Sequence, residues 1–454
     1  MKKMSNRKGN MKKRINSPKK LSDRRTFIKS TGAVTAGLMF TPSFSIAGST
    51  VGMQETLALN GGPKTVTASD EDGTTWPRYG ADEEKAVLEV LRDPSYKPND
   101  VFEEAWKKRF NVPYCKAHYN GTSAITAMFF ALKLPPGSEV MVPCATFWAT
   151  ITPMRFFGLV PVFVDINPVS LNFDLEDAKR KLTRNTKAMF PVHIAGMPAD
   201  IDLMESFCKE KGLILLEDAC HAHGATLKGK EIGSFGRMAC YSFQASKPLP
   251  AIEGGMCNFK EKADYDRATM LGHYEFASRL GKDSEYSKYS YGLGMKLRMH
   301  PMAAALGKCQ LEKLDKRNAI LKAQVRKLND VITKFPGIYE QQNRNDVNRV
   351  YYGPNRLYFN EKEAGFSKEM FLKALNAEGV QARASGAQFL AKNPLYHEAE
   401  WWHHMPVIAD NFPGVEDREK RGFLVPYFTK EMPELTEQYI KAFQKVWAHR
   451  KSLT

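Results

Sequence analysis

The sequence contains no Cys-x-x-Cys pair, although its 454 residues include seven cysteines. Zinc sites use closely spaced cysteine and histidine ligands, so this spacing argues against a zinc site. The odd number of cysteines, several of them in apolar strand-like runs, gives no indication of a disulfide framework either. We therefore expect no bound metal, and folding in a reducing compartment.

Low-complexity tracts, repeats of solenoid length and an excess of glycine or proline are also missing. These absences exclude collagen-like, solenoid and disordered proteins. Hydrophobic residues make up 43% of the chain, which is ample for a large core. A chain of this length and composition favours two globular domains over one.

The body of the chain lacks a basic stripe interleaved with aromatic residues, so nucleic-acid binding is not expected. The formal net charge is +16, but residues 1–47 hold twelve Lys or Arg and one Asp. This leader therefore accounts for +11 of the total, and the remaining residues carry only a mild positive charge. The basic character of the protein belongs to its leader.

The leader resembles a twin-arginine export signal. Arg24 and Arg25 are followed by the apolar Phe27, and Ser45-Ile46-Ala47 offers small residues for a signal peptidase. The apolar run at 31–44 is too short and weak for a stable transmembrane span. We expect the twin-arginine machinery to export the folded protein to the periplasm, or an uncleaved leader to attach it to the membrane. A disordered basic tail is the alternative.

Between about residues 101 and 260, apolar runs bounded by polar residues, proline or glycine alternate with helical stretches. This alternation is typical of an α/β fold, with a mainly parallel sheet between two helical layers. The ligand site of such a sheet lies beyond the carboxyl ends of its strands, so Asp218 and His193 are expected to point into one crevice. The expected helix spans 123–134. The expected strands span 139–143, 160–165, 187–193 and 213–218.

A long helical stretch at about 302–333 predicts a helix that connects the two domains. After it the pattern becomes mixed, which predicts a smaller α+β domain. Its expected elements are strand-like 350–352 and 355–359 and a helix at 368–378. The predicted organisation is thus a leader at 1–48, a large domain at 49–310 and a C-terminal domain at 311–454.

A candidate phosphate site lies at Asn120-Gly121-Thr122-Ser123, immediately before an apolar helix. The start of a helix offers free backbone N–H groups and a positive dipole end. Glycine permits close approach, and the hydroxyls of Thr122 and Ser123 add donors. Taken alone, a helix cap without a ligand is the commoner interpretation of this segment.

Asp218 and Lys247 complete a candidate catalytic set. A carboxylate at the end of a buried strand can pair with a pyridinium nitrogen, although it could instead cap the next turn. An apolar pocket disfavours the ammonium form of a lysine, and a neutral amine can attack an aldehyde and shuttle protons. Ser242, five residues before Lys247, could donate to the same phosphate. The alternative for Lys247 is a lysine on the protein surface without a catalytic role.

The order and spacing of these groups resemble the DegT/DnrJ/EryC/StrS family of sugar aminotransferases, from about Leu57 to the C-terminus. The resemblance implies the fold of type I pyridoxal-phosphate (PLP) enzymes, a seven-stranded sheet and a homodimer. Further similar segments are 146–150, 161–165, 191–196 and 217–225.

The resemblance also implies residue roles. Lys247 would carry the cofactor covalently, and Asp218 would pair with its pyridine nitrogen. Phe147 would stack on the ring, and His221 would lie near the phenolic oxygen. The phosphate would be held by Gly121, Thr122, Ser123 and Ser242.

The sequence departs from the family pattern at Lys296, where an asparagine often reaches the phosphate of the neighbouring subunit. Lys296 could replace that contact with a charge, or it could lie on the surface. Gln388-Phe389-Leu390 and 393–396 look more like the cyclitol-amine branch. Trp401-Trp402 could line a sugar-binding mouth or simply pack.

The function implied is transfer of an amino group from glutamate or glutamine to a keto-sugar or keto-cyclitol. Two alternative functions are also considered. One is a sugar dehydratase, although the known dehydratase branch has histidine where this chain has Lys247. The other is an exported PLP-binding sensor without turnover.

Overall fold

The computed structural model describes residues 55–273, 279–289, 291–341, 344–386 and 388–454. The predicted leader at 1–48, with its twin-arginine motif, lies outside the described residues. Within the described residues, every helix is too short or too polar to cross a membrane.

Seven strands form one sheet in the order β1-β9-β8-β5-β4-β2-β3. The five strands from β8 to β3 run parallel, while β9 is antiparallel to both of its neighbours, β8 and β1. This arrangement confirms the predicted mainly parallel sheet of seven strands. The strands are β1 (Tyr114–His118), β2 (Glu139–Pro143), β3 (Val160–Val164), β4 (Thr186–Met189), β5 (Ile214–Asp218), β8 (Met238–Ser242) and β9 (Gly255–Phe259).

Hydrophobic clusters cover both faces of this sheet, so β2, β3, β8 and β9 are buried along their whole length. The longest helix starts and ends within one residue of the predicted connecting helix. The α-helices are α1 (Ala81–Arg92), α2 (Lys97–Phe110), α3 (Gly121–Ala131), α4 (Leu175–Arg180), α5 (Ile201–Lys211), α6 (Lys262–Gly272), α7 (Pro301–Ile332), α8 (Glu361–Ala364), α9 (Lys368–Ala377), α10 (Pro413–Arg421) and α11 (Pro433–Ala448).

A second, antiparallel sheet of four strands follows α7, in the order β10-β12-β14-β13. Its core also includes Leu57, with Val66 and Ala68 packed against it. The segment from Leu57 to Ala68, which was predicted as part of the large domain, therefore packs in the hydrophobic core of the four-stranded sheet. The remaining strands are β6 (Thr226–Leu227), β7 (Lys230–Glu231), β10 (Ile338–Glu340), β11 (Val347–Asn348), β12 (Asn355–Phe359), β13 (Arg383–Ala384) and β14 (Gly422–Val425).

The predicted strand at 350–352 is wrong, because these residues are irregular. Val350 N–H donates to the Gly196 carbonyl at 3.1 Å, and Tyr352 N–H to the Ala195 carbonyl at 3.4 Å. Aromatic and β-branched residues favour a strand only where a partner strand is present. Here the backbone bonds to a loop of the first sheet, which carries Tyr352 into the site described below.

Two histidines are buried in contact with each other near the end of β1. His118 is fully buried and His273 is 2% exposed, and their ring centroids are 5.2 Å apart. None of their ring nitrogens meets a hydrogen-bond partner among the described residues. Burial lowers the pKa of His118 to about 3. His118 is therefore neutral in the folded protein at physiological pH.

His118 should make the protein less stable as the pH falls below about 6.5, the ordinary pKa of histidine. In that range the unfolded chain binds a proton at this position and the folded chain does not. The free energy of unfolding then falls by about 1.4 kcal/mol per pH unit for one such histidine. We expect His118→Gln to reduce the slope of stability between pH 6 and pH 5 by this amount in urea titrations. An unchanged slope would contradict the buried neutral ring.

Candidate active site

Three parts of the chain meet at the carboxyl edge of the large sheet. β5 ends at Asp218, the neighbouring β8 ends at Ser242, and Gly121 begins α3 just after β1. They border a cavity of about 740 Å³. Its lining includes Gly121, Thr122, Phe147, Asp218, His221, Ser242 and Lys247.

Asp218 is held in a fixed orientation at the base of the cavity. Its side chain is buried, with 4% exposure. The Thr150 hydroxyl donates to Oδ2 at 2.9 Å, and the Cys220 N–H donates to Oδ1 at 3.1 Å. A carboxylate with both oxygens engaged cannot rotate freely, so its charge points in one direction.

Lys247 lies in the loop after β8, with its amine close to Tyr352. The Nζ atom donates to the Tyr352 hydroxyl at 3.3 Å and lies 4.7 Å from the centre of that ring. The Trp76 indole N–H donates to the Lys247 carbonyl at 3.2 Å, which anchors the backbone at this position. These contacts hold the amine inside the cavity, where it can react with an aldehyde.

His221 is neutral in this site. Burial, together with the charges of Lys247 and Arg356, lowers its pKa well below the usual value. Its Nδ1 accepts the Ala195 N–H at 3.4 Å, and its ring stacks on Tyr352 at a centroid distance of 4.3 Å. The remaining ring nitrogen then carries the proton and can donate to an acceptor oxygen.

The start of α3 and the end of β8 approach so closely that a side chain would not fit between them. A Cβ atom added at Gly121 would lie 2.8 Å from the Ser242 Cβ. The N–H groups of Gly121 and Thr122 are in the first helical turn and have no acceptor within the helix. This cradle suits a phosphate, as predicted for these three residues.

Ser123 is placed differently from its predicted role. It is 3% exposed and does not line the cavity. Its hydroxyl and its N–H both donate to the Asn120 side chain, at 2.7 and 2.9 Å. Asn120 thus caps α3 by accepting both donors of Ser123, and the free donors in the cradle belong to Gly121 and Thr122.

The structure also corrects the prediction for His193. This residue is fully buried outside the cavity, and its Nε2 lies 3.2 Å from a carboxylate oxygen of Glu217. Phe147 lines the cavity with 49% of its surface exposed. Lys296 is exposed and does not line the cavity of its own chain. Its contact across a dimer stays a prediction.

Trp401 and Trp402 do not line the cavity, so the structure favours packing over a sugar-binding mouth. Trp402 is buried, stacks on Tyr396 at 5.5 Å and donates its indole N–H to the Leu395 carbonyl at 2.9 Å. Trp401 lies 5.4 Å from the Arg155 guanidinium.

Among the cavity residues to which sequence reasoning gave no role are Thr150, Tyr352, Arg356 and Arg418. Thr150 stood inside a family-like segment, but nothing in the pattern linked it to Asp218, 68 positions away. Arg356 left only a weak signal, a charged residue directly before the apolar end of β12, Leu357-Tyr358-Phe359. Arg418 could not be recognised from the sequence, because it is one of several charged residues on α10.

The family model described as the DegT/DnrJ/EryC1/StrS aminotransferase family matches residues 77–442. The chain belongs to this family. It is a PLP-dependent aminotransferase with the fold of type I PLP enzymes.

Three relatives illustrate the range of the family. The chain is 34% identical over 225 residues to GDP-perosamine synthase from Vibrio cholerae, which is 50% of this chain and 59% of that protein. It is 27% identical to a putative L-glutamine:3-amino-2,3-dideoxy-scyllo-inosose aminotransferase from Streptoalloteichus tenebrarius, over 88% of this chain and 94% of that one. The solved E. coli GDP-4-keto-6-deoxy-D-mannose-3-dehydratase with bound hydrated PLP has a TM-score of 0.71 at 24% identity, covering 82% of this chain and 99% of that one.

The residues present fit PLP, because the cradle, the amine and the carboxylate border one cavity. When bound, PLP supplies an aldehyde that joins amines and a ring that withdraws electrons. Lys247 would attach the aldehyde and carry protons, Asp218 would face the ring nitrogen, and His221 would donate from its protonated nitrogen. Gly121, Thr122 and Ser242 would hold the phosphate, with Phe147 covering the ring.

Gly121→Ala should weaken PLP binding. The added methyl group would push Ser242 away, and overpacking of this kind costs about 1–3 kcal/mol, or roughly 5- to 150-fold in affinity. The dissociation constant is measured by titrating cofactor-free protein with PLP. Gly80→Ala is the matched control, because a Cβ there meets nothing closer than 3.8 Å. Equal PLP affinity in both variants would contradict the cradle.

Proposed function

We propose that the protein transfers the amino group of glutamate or glutamine to a keto-sugar or keto-cyclitol. The observation that carries this proposal is a reactive amine and an oriented carboxylate facing one large cavity. Its volume of about 740 Å³ falls within the range of small-molecule sites, about 300–1,000 Å³. A cavity of this size can hold a polar substrate beside the cofactor.

The remaining lining suits a substrate rich in hydroxyl groups. Asn120, Gln244 and Gln388 line the cavity, and amides both donate and accept hydrogen bonds. Phe147 and Trp148 stand at its edge with 49% and 44% of their surfaces exposed, and such rings can cover an apolar face of a ring-shaped substrate. Gln388 belongs to the segment that looks like the cyclitol-amine branch, which favours a keto-cyclitol as acceptor.

The alternative of a sugar dehydratase has the support of a structural neighbour of that activity. Lys247 argues against it, because an amine at this position can return a proton to the substrate carbon, as transamination requires. An exported PLP-binding sensor without turnover is the second alternative. These readings differ in whether the amino group is transferred.

The test follows the two halves of the reaction separately. L-Glutamate or L-glutamine, added to the PLP-loaded protein, should remove the visible absorbance of the lysine-linked cofactor. A keto-inositol or keto-sugar should then restore it. A protein that responds to no amino donor would favour the sensor. Restoration by simple keto acids alone would contradict the proposed acceptor.

We also propose that the protein forms a homodimer with the active site at the subunit interface.

We further propose that the twin-arginine pathway exports the protein. The support for export is the Arg24-Arg25 motif. Replacing both arginines by lysine should leave the protein in the cytoplasm, as measured by cell fractionation with the unchanged chain as control. Equal amounts outside the cytoplasm would contradict the export signal.

A further inference from the structure

Two consecutive histidines, His403 and His404, face each other on the surface directly after Trp402. Their Nδ1 atoms are 3.4 Å apart, and their ring planes are inclined at 86°. His403 is exposed, and the side chain of His404 is 35% exposed. Neither histidine lines the cavity that contains Lys247, so the proposed amino transfer gives this pair no role.

Glu139 fixes the orientation of the His404 ring. Its Oε1 atom lies 3.3 Å from His404 Nε2, and its side chain is only 5% exposed. Its Oε2 atom accepts hydrogen bonds from the hydroxyls of Thr183 and Thr186. Because a carboxylate only accepts, Nε2 is the nitrogen of His404 that carries hydrogen. In the neutral ring, Nδ1 therefore keeps its lone pair on the side of His403.

The segment that carries the two histidines is anchored on both sides. Before them Trp402 is buried, and after them the Val407 N–H donates to the Pro161 carbonyl at 3.1 Å. The His403 ring packs against Gly137, where an added Cβ atom would lie 3.0 Å from the ring Cε1. The two Nδ1 atoms are thus held in place before any ligand arrives.

The separation of the two Nδ1 atoms matches that of two nitrogen ligands on one metal ion. With zinc–nitrogen bonds of about 2.0–2.1 Å, an ion between them would have a nitrogen–metal–nitrogen angle of about 110°, close to tetrahedral. A histidine that binds a metal commonly donates its other ring nitrogen to a carboxylate, as His404 does to Glu139. The expectation of no bound metal rested on cysteine spacing, which a pair of imidazoles does not require.

We propose that His403 and His404 bind one divalent transition-metal ion through their Nδ1 atoms, with Glu139 holding His404 in position. Imidazole ligands suit Zn²⁺, Cu²⁺ and Ni²⁺, whereas Mg²⁺ prefers oxygen. Among the residues that the structure describes, no third histidine, cysteine or acidic side chain lies close enough to complete a set of three ligands. Water would fill the other positions, so the ion would exchange readily. The site is independent of the proposed function.

The test is calorimetric titration of the full-length, PLP-loaded protein with Zn²⁺, Cu²⁺ and Mg²⁺. We expect one ion to bind at this site, Cu²⁺ more tightly than Zn²⁺, and no binding of Mg²⁺. Glu139→Gln keeps an acceptor but removes the charge, and should weaken the affinity roughly 10- to 100-fold. His403→Gln and His404→Gln each remove a ligand and should cost at least as much. The control is His300→Gln, which removes a single exposed histidine at the start of α7 and should leave the affinity unchanged.

The variant with both histidines replaced by glutamine separates this site from other metal binding. It keeps Asp218, Cys220 and Cys240, whose ligand atoms lie within 4.8 Å of one another. Equal affinity for Zn²⁺ and Cu²⁺ in this variant and in the unchanged protein would overturn the proposal. So would equal affinity in Glu139→Gln, because the carboxylate would then have no part in the site.

Two further measurements do not depend on calorimetry. Zn²⁺ should raise the melting temperature of the unchanged protein but not that of the variant without both histidines, because a ligand of the folded state stabilises it. The electron paramagnetic resonance spectrum of bound Cu²⁺ should show coupling to two nitrogens. Coupling to one nitrogen, or the same Zn²⁺-induced shift in both proteins, would overturn the assignment.

Discussion

Lys247→Ala is expected to abolish transamination and the visible absorbance of the bound cofactor. The variant loses both the covalent attachment and the group that carries protons, and proton transfer alone contributes about 10²- to 10⁴-fold to a rate. Since no other lysine lines the described cavity, no neighbouring amine can take over. The rate is measured with L-glutamate and a keto-inositol.

Borohydride reduction and mass spectrometry give an independent check of this prediction. The unchanged protein should carry a cofactor adduct on Lys247, and the variant should carry none. Lys187→Ala is the control, because Lys187 is exposed on β4 and its amine donates to the Arg184 carbonyl, away from the cavity lining. An adduct on another lysine, or activity retained without Lys247, would refute the assignment of the catalytic amine.

Asp218→Asn is expected to lower the rate of amino transfer about 10²- to 10³-fold, the usual effect of removing one preorganised electrostatic group. Asparagine keeps the shape and can still accept from Thr150, but it lacks the negative charge that would pair with a protonated ring nitrogen. The loss should appear mainly in kcat, with the fold and melting temperature retained. Single-turnover rates with glutamate measure it.

Thr150→Val distinguishes the charge of Asp218 from its orientation. This variant removes the 2.9 Å hydrogen bond to Oδ2 and leaves the carboxylate in place. A hydrogen bond to a charged group is worth about 1.5–3 kcal/mol, so the rate should fall at most roughly 10- to 150-fold. If Asp218→Asn retains the full rate, or Thr150→Val costs more than Asp218→Asn, the role assigned to the carboxylate is wrong.

Lys247, Asp218 and Ser242 could be found from the sequence because each stands near an apolar strand or its end and because their order along the chain resembles that of the family. The same local logic predicted α3, α7 and β12 closely. Ser123 and His193 show where this logic stops. Both stand where a ligand residue is expected, yet each bonds to a polar side chain outside the predicted role, Ser123 to Asn120 and His193 to Glu217.

The sequence by itself determined the α/β pattern and the order of the strands along the chain, because these depend on periodicity, and the order of the glycine, acid and lysine motifs indicated the family. Only the tertiary structure decided that Thr150 orients Asp218, that Tyr352 contacts the lysine and that Arg356 and Arg418 enter the cavity. These pairings join residues about 70 to 200 positions apart. Which such residues meet depends on how the two sheets and the loops between them pack, and no local pattern records that.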